Sequence, residues 1–152
     1  MPPMTTLLER LQADTKDAMK ARDSERVQTL RLFVNAVQNE SKTKQRDLED
    51  TETVTVLQRE KKKRIEAAEA FEAAGHADRA GAERDQAALL DEYLPAQLSD
   101  VELDGLVAEA VAETGAEGAS AMGAVMKAVM PKIAGRADGK LVSAAVNRAL
   151  RG

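Results

Sequence analysis

This 152-residue chain contains no cysteine and no tryptophan, only one histidine, and 2% aromatic residues. The absence of cysteine excludes disulfides, thiolate nucleophiles and sulfur-ligated zinc, and it is consistent with a reducing compartment. A single histidine leaves too few ligands for a conventional transition-metal site. The scarcity of aromatic rings also leaves no platform on which single-stranded bases could stack.

Proline and long apolar runs are scarce as well. Only four prolines interrupt a sequence rich in Ala, Leu, Glu, Lys and Arg, so helix propensity predicts an all-α, multihelical fold without a sheet. No stretch is long and apolar enough to span a membrane, and the first residues lack the apolar region of a signal peptide. We therefore expect a cytoplasmic protein that makes no membrane contact.

Residues for catalysis are few. No Ser or Thr has a base with a recognisable orienting group, and no glycine pattern matches a phosphate-binding loop. His76 follows the helix-ending Gly75, where an exposed capping role is expected. We therefore predict no catalytic residue, no metal site and no cofactor, and no catalytic activity of the chain alone.

Capping signals divide the chain into seven predicted helices, four in residues 5–94 and three in residues 97–151. Helix starts are indicated by Thr6, by Asp23 or Ser24, by Ser99 with Glu102, by Ser120 and by Asp138. Gly115 is predicted to end the fifth helix. Tyr-Leu-Pro at residues 93–95 predicts a boundary between an N-terminal lobe, residues 1–95, and a C-terminal lobe, residues 96–152.

Apolar spacing predicts which face of each helix is buried. On the third helix the predicted buried residues are Val54, Leu57, Ile65, Ala68 and Phe71. On the seventh they are Leu141, Val142, Ala145, Val146 and Ala149. The sixth helix is predicted to be interrupted or kinked near Pro131 and to end at Gly135 as a left-handed C-cap.

Charge is distributed unevenly. Residues 99–118 hold six acidic and no basic side chains, whereas residues 119–152 hold six basic and one acidic. This asymmetry is typical of an anion-binding face, or of an acidic helix (residues 100–117) that packs against a basic one. A second basic run, residues 59–64, could contact phosphates or pair with neighbouring glutamates such as Glu60.

The C-terminal segment MGAVMKAVMPKIAGRADGKLVSAAVNRAL, residues 122–150, resembles the GatB/YqeY family. The resemblance rests on a methionine-rich helix, a Gly-Arg-Ala-Asp corner at residues 135–138, and a final helix with Leu141 and Val142 near its start. Residues 71–95 and the hinge EYLPAQLSDVEL, residues 92–103, are similar to stand-alone YqeY proteins. The likeness to the tRNA-dependent amidotransferase B subunit covers only that subunit's tail.

The resemblance implies a two-lobe helical protein whose relatives serve tRNA-dependent amidation. A label of carbon-nitrogen ligase with glutamine as amido donor follows by family inheritance, although no residues here could hydrolyse glutamine. Together with the charge pattern, it indicates that tRNA or another structured RNA contacts a cationic surface composed of Lys127, Lys132, Arg136, Lys140, Arg148 and Arg151. The start of the seventh helix would add N–H groups that attract phosphate, opposed locally by Asp138. The alternative is an adaptor, without RNA contact, whose methionine-rich sixth helix docks a protein partner such as a translation-related one.

Overall fold

The computed structural model describes residues 5–115 and 117–151. Within these ranges the chain forms seven α-helices, one 3₁₀ turn and no strand, which confirms the all-α prediction. The helices are α1 Leu7–Lys20, α2 Ser24–Lys44, α3 Asp50–Ala73, α4 Ala77–Leu90, α5 Asp100–Thr114, α6 Met122–Ile133 and α7 Gly139–Arg151. The 3₁₀ turn, Ala119–Ala121, directly precedes α6.

The chain divides into two compact units between Leu94 and Pro95. The first unit contains α1 to α4, and the second contains α5, the 3₁₀ turn, α6 and α7. Each unit has its own apolar core, and the two cores share no residue.

Side-chain caps define several helix starts as predicted. Thr6 accepts a hydrogen bond from the Glu9 N–H at 3.1 Å. Ser99 and Glu102 form the reciprocal capping box at the start of α5, with two bonds of 3.1 Å. These bonds satisfy N–H groups of the first turn that have no acceptor within the helix.

The first unit packs around large apolar side chains from all of its helices, the largest being Phe33, Leu11, Leu30, Leu57 and Leu90. The predicted face of α3 is partly wrong. Thr53 and Val56 are buried, whereas Val54 is half-buried and Ile65 is 39% exposed. The reason is that α3 packs against α4 as well as against α1 and α2, so no single stripe defines its buried side.

The second unit is a three-helix arrangement in which each helix contributes one apolar face. The buried residues are Leu103, Val107 and Ala110 on α5, Val125, Val129 and Ile133 on α6, and Val142, Ala145 and Val146 on α7. The predicted burial of Leu141 and Ala149 is wrong. Leu141 lies to one side of the α7 core face and is 57% exposed, and Ala149 is exposed near the end of the helix, beyond the last buried residue, Val146.

The helix boundaries of the second unit agree with the predictions in part. Helix α5 ends at Thr114 with Gly115, the predicted stop, as left-handed C-cap, so it is shorter than the acidic segment 100–117, in which Ala116 lies outside the described residues. The predicted start of the sixth helix at Ser120 is wrong, because Ser120 lies in the 3₁₀ turn and α6 begins at Met122. Helix α6 continues through Pro131 to Ile133. Its C-cap is Ala134, one residue before the predicted glycine, and Gly135 follows with a second positive φ.

Candidate nucleic-acid interface

Helix α7 is basic and carries no acidic residue along its whole length. Lys140, Ala144, Asn147 and Arg151 are separated by four, three and four residues, and all are exposed. This spacing places them in one stripe along the helix, about 16 Å from end to end. We call these four residues the α7 stripe. It lies on the side opposite the buried Val142, Ala145 and Val146.

The start of α7 is held by Asp138. The Lys140 N–H donates to Asp138 Oδ1 at 3.3 Å, and the Val142 N–H donates to the Asp138 carbonyl at 3.0 Å. Because the carboxylate already occupies part of this helix N-terminus, an incoming phosphate depends more on side-chain cations than on backbone N–H groups.

Arg148 lies beside the α7 stripe and contacts α5. Its Nη2 is 3.4 Å from Asp104 Oδ1, and both side chains are at least 60% exposed. An ion pair this exposed contributes little stability, so Arg148 can exchange its partner at little cost.

Lys132 faces α5 instead of solvent. Its Nζ lies 2.7 Å from Glu113 Oε1 and 3.7 Å from Glu109 Oε2, and only 27% of its side chain is exposed. The hydrogen bond that Lys132 donates to Glu113 raises the pKa of Lys132. This cation is therefore neutralised within the second unit, as expected if an acidic helix packs against a basic one.

Arg136 ties the chain entering α5 to the corner between α6 and α7. Its Nε donates to the Ala96 carbonyl at 2.9 Å, and its own carbonyl accepts from the Leu98 N–H at 2.8 Å. These two bonds place the segments that lead into α5 and α7 side by side. Arg136 thus stabilises the fold of the second unit.

Lys127 projects from the outer side of α6. It lies midway between the buried Val125 and Val129, so its side chain points away from the core. It is exposed and forms no ion pair with the residues described here. Among the six predicted cations, Lys140, Arg148 and Arg151 lie together on α7, whereas Lys132 and Arg136 have bonding partners within the second unit.

A family model described as Yqey-like protein matches residues 8–150 of the chain. This chain belongs to the YqeY-like protein family. A search of curated proteins found no match.

Two members of the α7 stripe were not singled out from the sequence of this YqeY-like protein. Ala144 and Asn147 are uncharged, whereas all six residues predicted to bind RNA are cations. The signal that would have found them is their spacing of four and seven residues from Lys140, which places them on the same helical face.

The second basic run of the YqeY-like protein is largely paired internally. Four of its cations contact carboxylates: Arg59 with Glu40, Lys61 with Asp91, Lys63 with Glu60, and Arg64 with Glu60 and Glu83. Lys62 is exposed and has no ion pair among the described residues. The glutamate-pairing alternative thus accounts for most of this run.

Other candidate chemistry is sparse in the described parts of the YqeY-like protein. His76 is exposed at the N-cap position of α4, makes no side-chain cap bond, and packs its ring edge-on against Phe71 at 6.4 Å. No group of three or more His, Asp or Glu side chains suited to a metal occurs within residues 5–115 and 117–151. None of the helices there has the length and apolarity needed to cross a bilayer.

Proposed function

We propose that this YqeY-like protein is a translation-associated accessory protein of the cytoplasm that binds structured RNA, tRNA in particular, through the exposed face of α7. The observation that carries the proposal is the outward side of α7, where Lys140, Arg148 and Arg151 project without any acidic residue on the same helix. Phosphate contacts by such cations release counterions and favour binding.

The internal pairs of the second unit limit the strength of this interaction. Lys132 forms ion pairs with Glu109 and Glu113, and Arg148 forms one with Asp104. With three phosphate contacts from α7, the log-log dependence of affinity on salt has a slope of about −2 to −3. Binding is therefore weak and strongly reduced by salt.

The resemblance to the tail of the amidotransferase B subunit supports the proposal, because we expect both that tail and this chain to contact tRNA. The carbon-nitrogen ligase label refers to the chemistry of a larger enzyme, and this chain contributes RNA contact without turnover of its own. We expect the purified protein to release no ammonia from glutamine and to consume no ATP.

The test is tRNA binding over a range of salt concentrations for the wild type and for Lys140→Glu with Arg151→Glu. A charge-matched control is Lys16→Glu with Lys20→Glu, two exposed lysines of α1. Arg136 is left unchanged, because its loss would disturb the corner that it holds.

The α7 variant is expected to lose most of its affinity at low salt, while the control loses only the part that follows from net charge. Circular dichroism checks that both variants remain helical. No binding by the wild type at low salt, or an equal loss in the two variants, would remove the proposal.

The adaptor function remains a second candidate, favoured by exposed apolar side chains in the second unit. Val101 is 81% exposed and Leu141 57% exposed, each in the first turn of its helix. The methionine-rich helix is a poorer docking face than expected, since Met122 and Met126 pack against the core and Met130 is 41% exposed. Co-purification with and without nuclease separates the two candidates, because an adaptor keeps its partners when RNA is destroyed.

A further inference from the structure

We infer that the α7 stripe docks across the minor groove of an A-form RNA double helix, with Asn147 contacting a ribose 2′-hydroxyl. The inference rests on the proposed function and narrows it, since it specifies double-helical RNA and a group that distinguishes RNA from DNA.

The order of side chains along the α7 stripe matches a groove that is bordered by phosphates. A cation stands at each end, Lys140 and Arg151, and the uncharged Ala144 and Asn147 lie between them. With about 16 Å between the ends, the cations can reach phosphates on opposite sides of a groove while the middle of the helix faces the groove surface.

The two central residues of the α7 stripe, Ala144 and Asn147, match the surface of the RNA minor groove. The methyl group of Ala144 lets the helix backbone approach closely, and the Asn147 amide offers both donors and an acceptor. The wide, shallow minor groove of A-form RNA displays 2′-hydroxyls and base edges, whereas its deep major groove is too narrow for side chains to read. A 2′-hydroxyl donates and accepts hydrogen bonds, so it matches the amide.

The absence of aromatic residues near the α7 stripe also favours double-helical RNA over a single strand. Residues 99–152 contain no Phe, Tyr or Trp, so this part of the chain offers no aromatic platform for the unpaired bases of a single strand. Recognition by shape, phosphate and 2′-hydroxyl needs no aromatic ring, and it is the mode by which proteins bind double-helical RNA.

The stripe is also free to bind. Lys140 and Arg151 form no ion pair, and the Asn147 side chain no hydrogen bond, with any residue in the part of the chain that the structure describes. Arg148, beside the stripe, is partly neutralised by Asp104. The two end cations are therefore the principal phosphate contacts.

The experiment measures binding to a blunt RNA duplex, a DNA duplex of the same sequence, the single RNA strand, and an RNA duplex with 2′-O-methyl groups. The proteins are the full-length wild type, Asn147→Ala, and the control Asn35→Ala, which removes an exposed helical asparagine from the first unit. Circular dichroism establishes that each variant is folded.

The wild type is expected to prefer the RNA duplex over the DNA duplex by about tenfold, which corresponds to one to two hydrogen bonds. Methylation of the 2′-oxygens and Asn147→Ala should each remove most of this preference. Asn147→Ala should leave the salt slope unchanged, because no phosphate contact is lost, and Asn35→Ala should behave as the wild type.

The inference is overturned if the protein binds RNA and DNA duplexes equally, prefers the single strand, or keeps its preference in Asn147→Ala. Those outcomes leave the proposed RNA binding intact. Failure to bind any RNA at low salt would instead remove the proposed function together with the inference.

Discussion

Lys132 Nζ on α6 lies 2.7 Å from Glu113 Oε1 on α5, across 19 residues of sequence. The pair shows that α5 supplies an internal anion for a cation that would otherwise face solvent. Under the proposed RNA binding, an external phosphate would compete with acidic α5 for this positive charge.

Removal of this internal competitor is expected to strengthen RNA binding. Glu109→Gln with Glu113→Gln frees Lys132 and removes two negative charges, so affinity at low salt should rise and the salt slope should steepen by up to about one phosphate contact. The charge-matched control is Glu66→Gln with Glu69→Gln, two exposed glutamates of the first unit. An equal gain in both variants would show that net charge alone is responsible.

Tyr93 is expected to titrate far above its ordinary range. Burial raises the pKa of Tyr93, and so does the hydrogen bond that its hydroxyl donates to Asp14 Oδ2 at 2.5 Å. Tyr93 is the only tyrosine and the chain has no tryptophan, so phenolate absorbance reports on this residue alone. The native protein should stay unionised well above pH ~10, whereas the denatured chain should titrate near ~10.

The consequence for stability follows from the direction of this shift. A raised pKa in the folded state means that the contribution of Tyr93 is fully present below pH ~10 and is lost as the pH rises towards the folded pKa. Tyr93→Phe removes the bond to Asp14 and should lower the free energy of unfolding by about 1 kcal/mol at neutral pH. Native ionisation near pH 10 would contradict the buried, bonded phenol.

Ala134→Gly is expected to stabilise the protein. Ala134 has φ 49° and ψ 41°, a left-handed conformation that costs a non-glycine residue about 1–2 kcal/mol. Glycine relieves this cost but adds entropy to the unfolded chain, which leaves a net gain of about 0.5–1 kcal/mol. The control Ala124→Gly, at an exposed position inside α6, should destabilise by about 1 kcal/mol. Thermal unfolding measures both, and a loss of stability in Ala134→Gly would refute the prediction.

Glu52 is expected to make stability depend on acid pH. Its carboxylate accepts two bonds of 2.8 Å from Arg46 and one of 2.8 Å from Lys44, and these hold the pKa of Glu52 far below its usual range. The contribution is therefore present above the unfolded pKa of ~4.3 and is lost as the pH falls below it.

Glu52→Gln should accordingly lower the unfolding temperature at pH 7, and the difference from the wild type should shrink as the pH falls towards 2. Glu66→Gln, which removes an exposed glutamate without an ion pair in the described ranges, serves as the control and should change little. A Glu52→Gln difference that stays constant with pH would show that the carboxylate charge is unimportant.

Some features were predictable from short stretches of sequence. The start of α5 depends on Ser99 and Glu102, three residues apart, so the whole signal lies within one helical turn. Prediction was weaker where several helices together determine which side of a helix is buried. Three other helices pack against α3, so its buried side does not follow the predicted stripe and Ile65 is 39% exposed. The C-cap of α6 is Ala134, although the neighbouring glycine suits a left-handed conformation better.

The candidate interface was only partly predictable from the sequence, because partners far away in the sequence determine whether each cation is paired or free. Arg136 donates to Ala96, 40 residues away, and Arg148 contacts Asp104, 44 residues away. The sequence by itself determined the helical fold, the local caps and the concentration of positive charge after residue 118, since composition and short-range hydrogen bonding suffice for these. Only the tertiary structure decided that Lys132 faces an acidic helix while Lys140 and Arg151 point outward, because packing of α5 against α6 and α7 sets which charges meet.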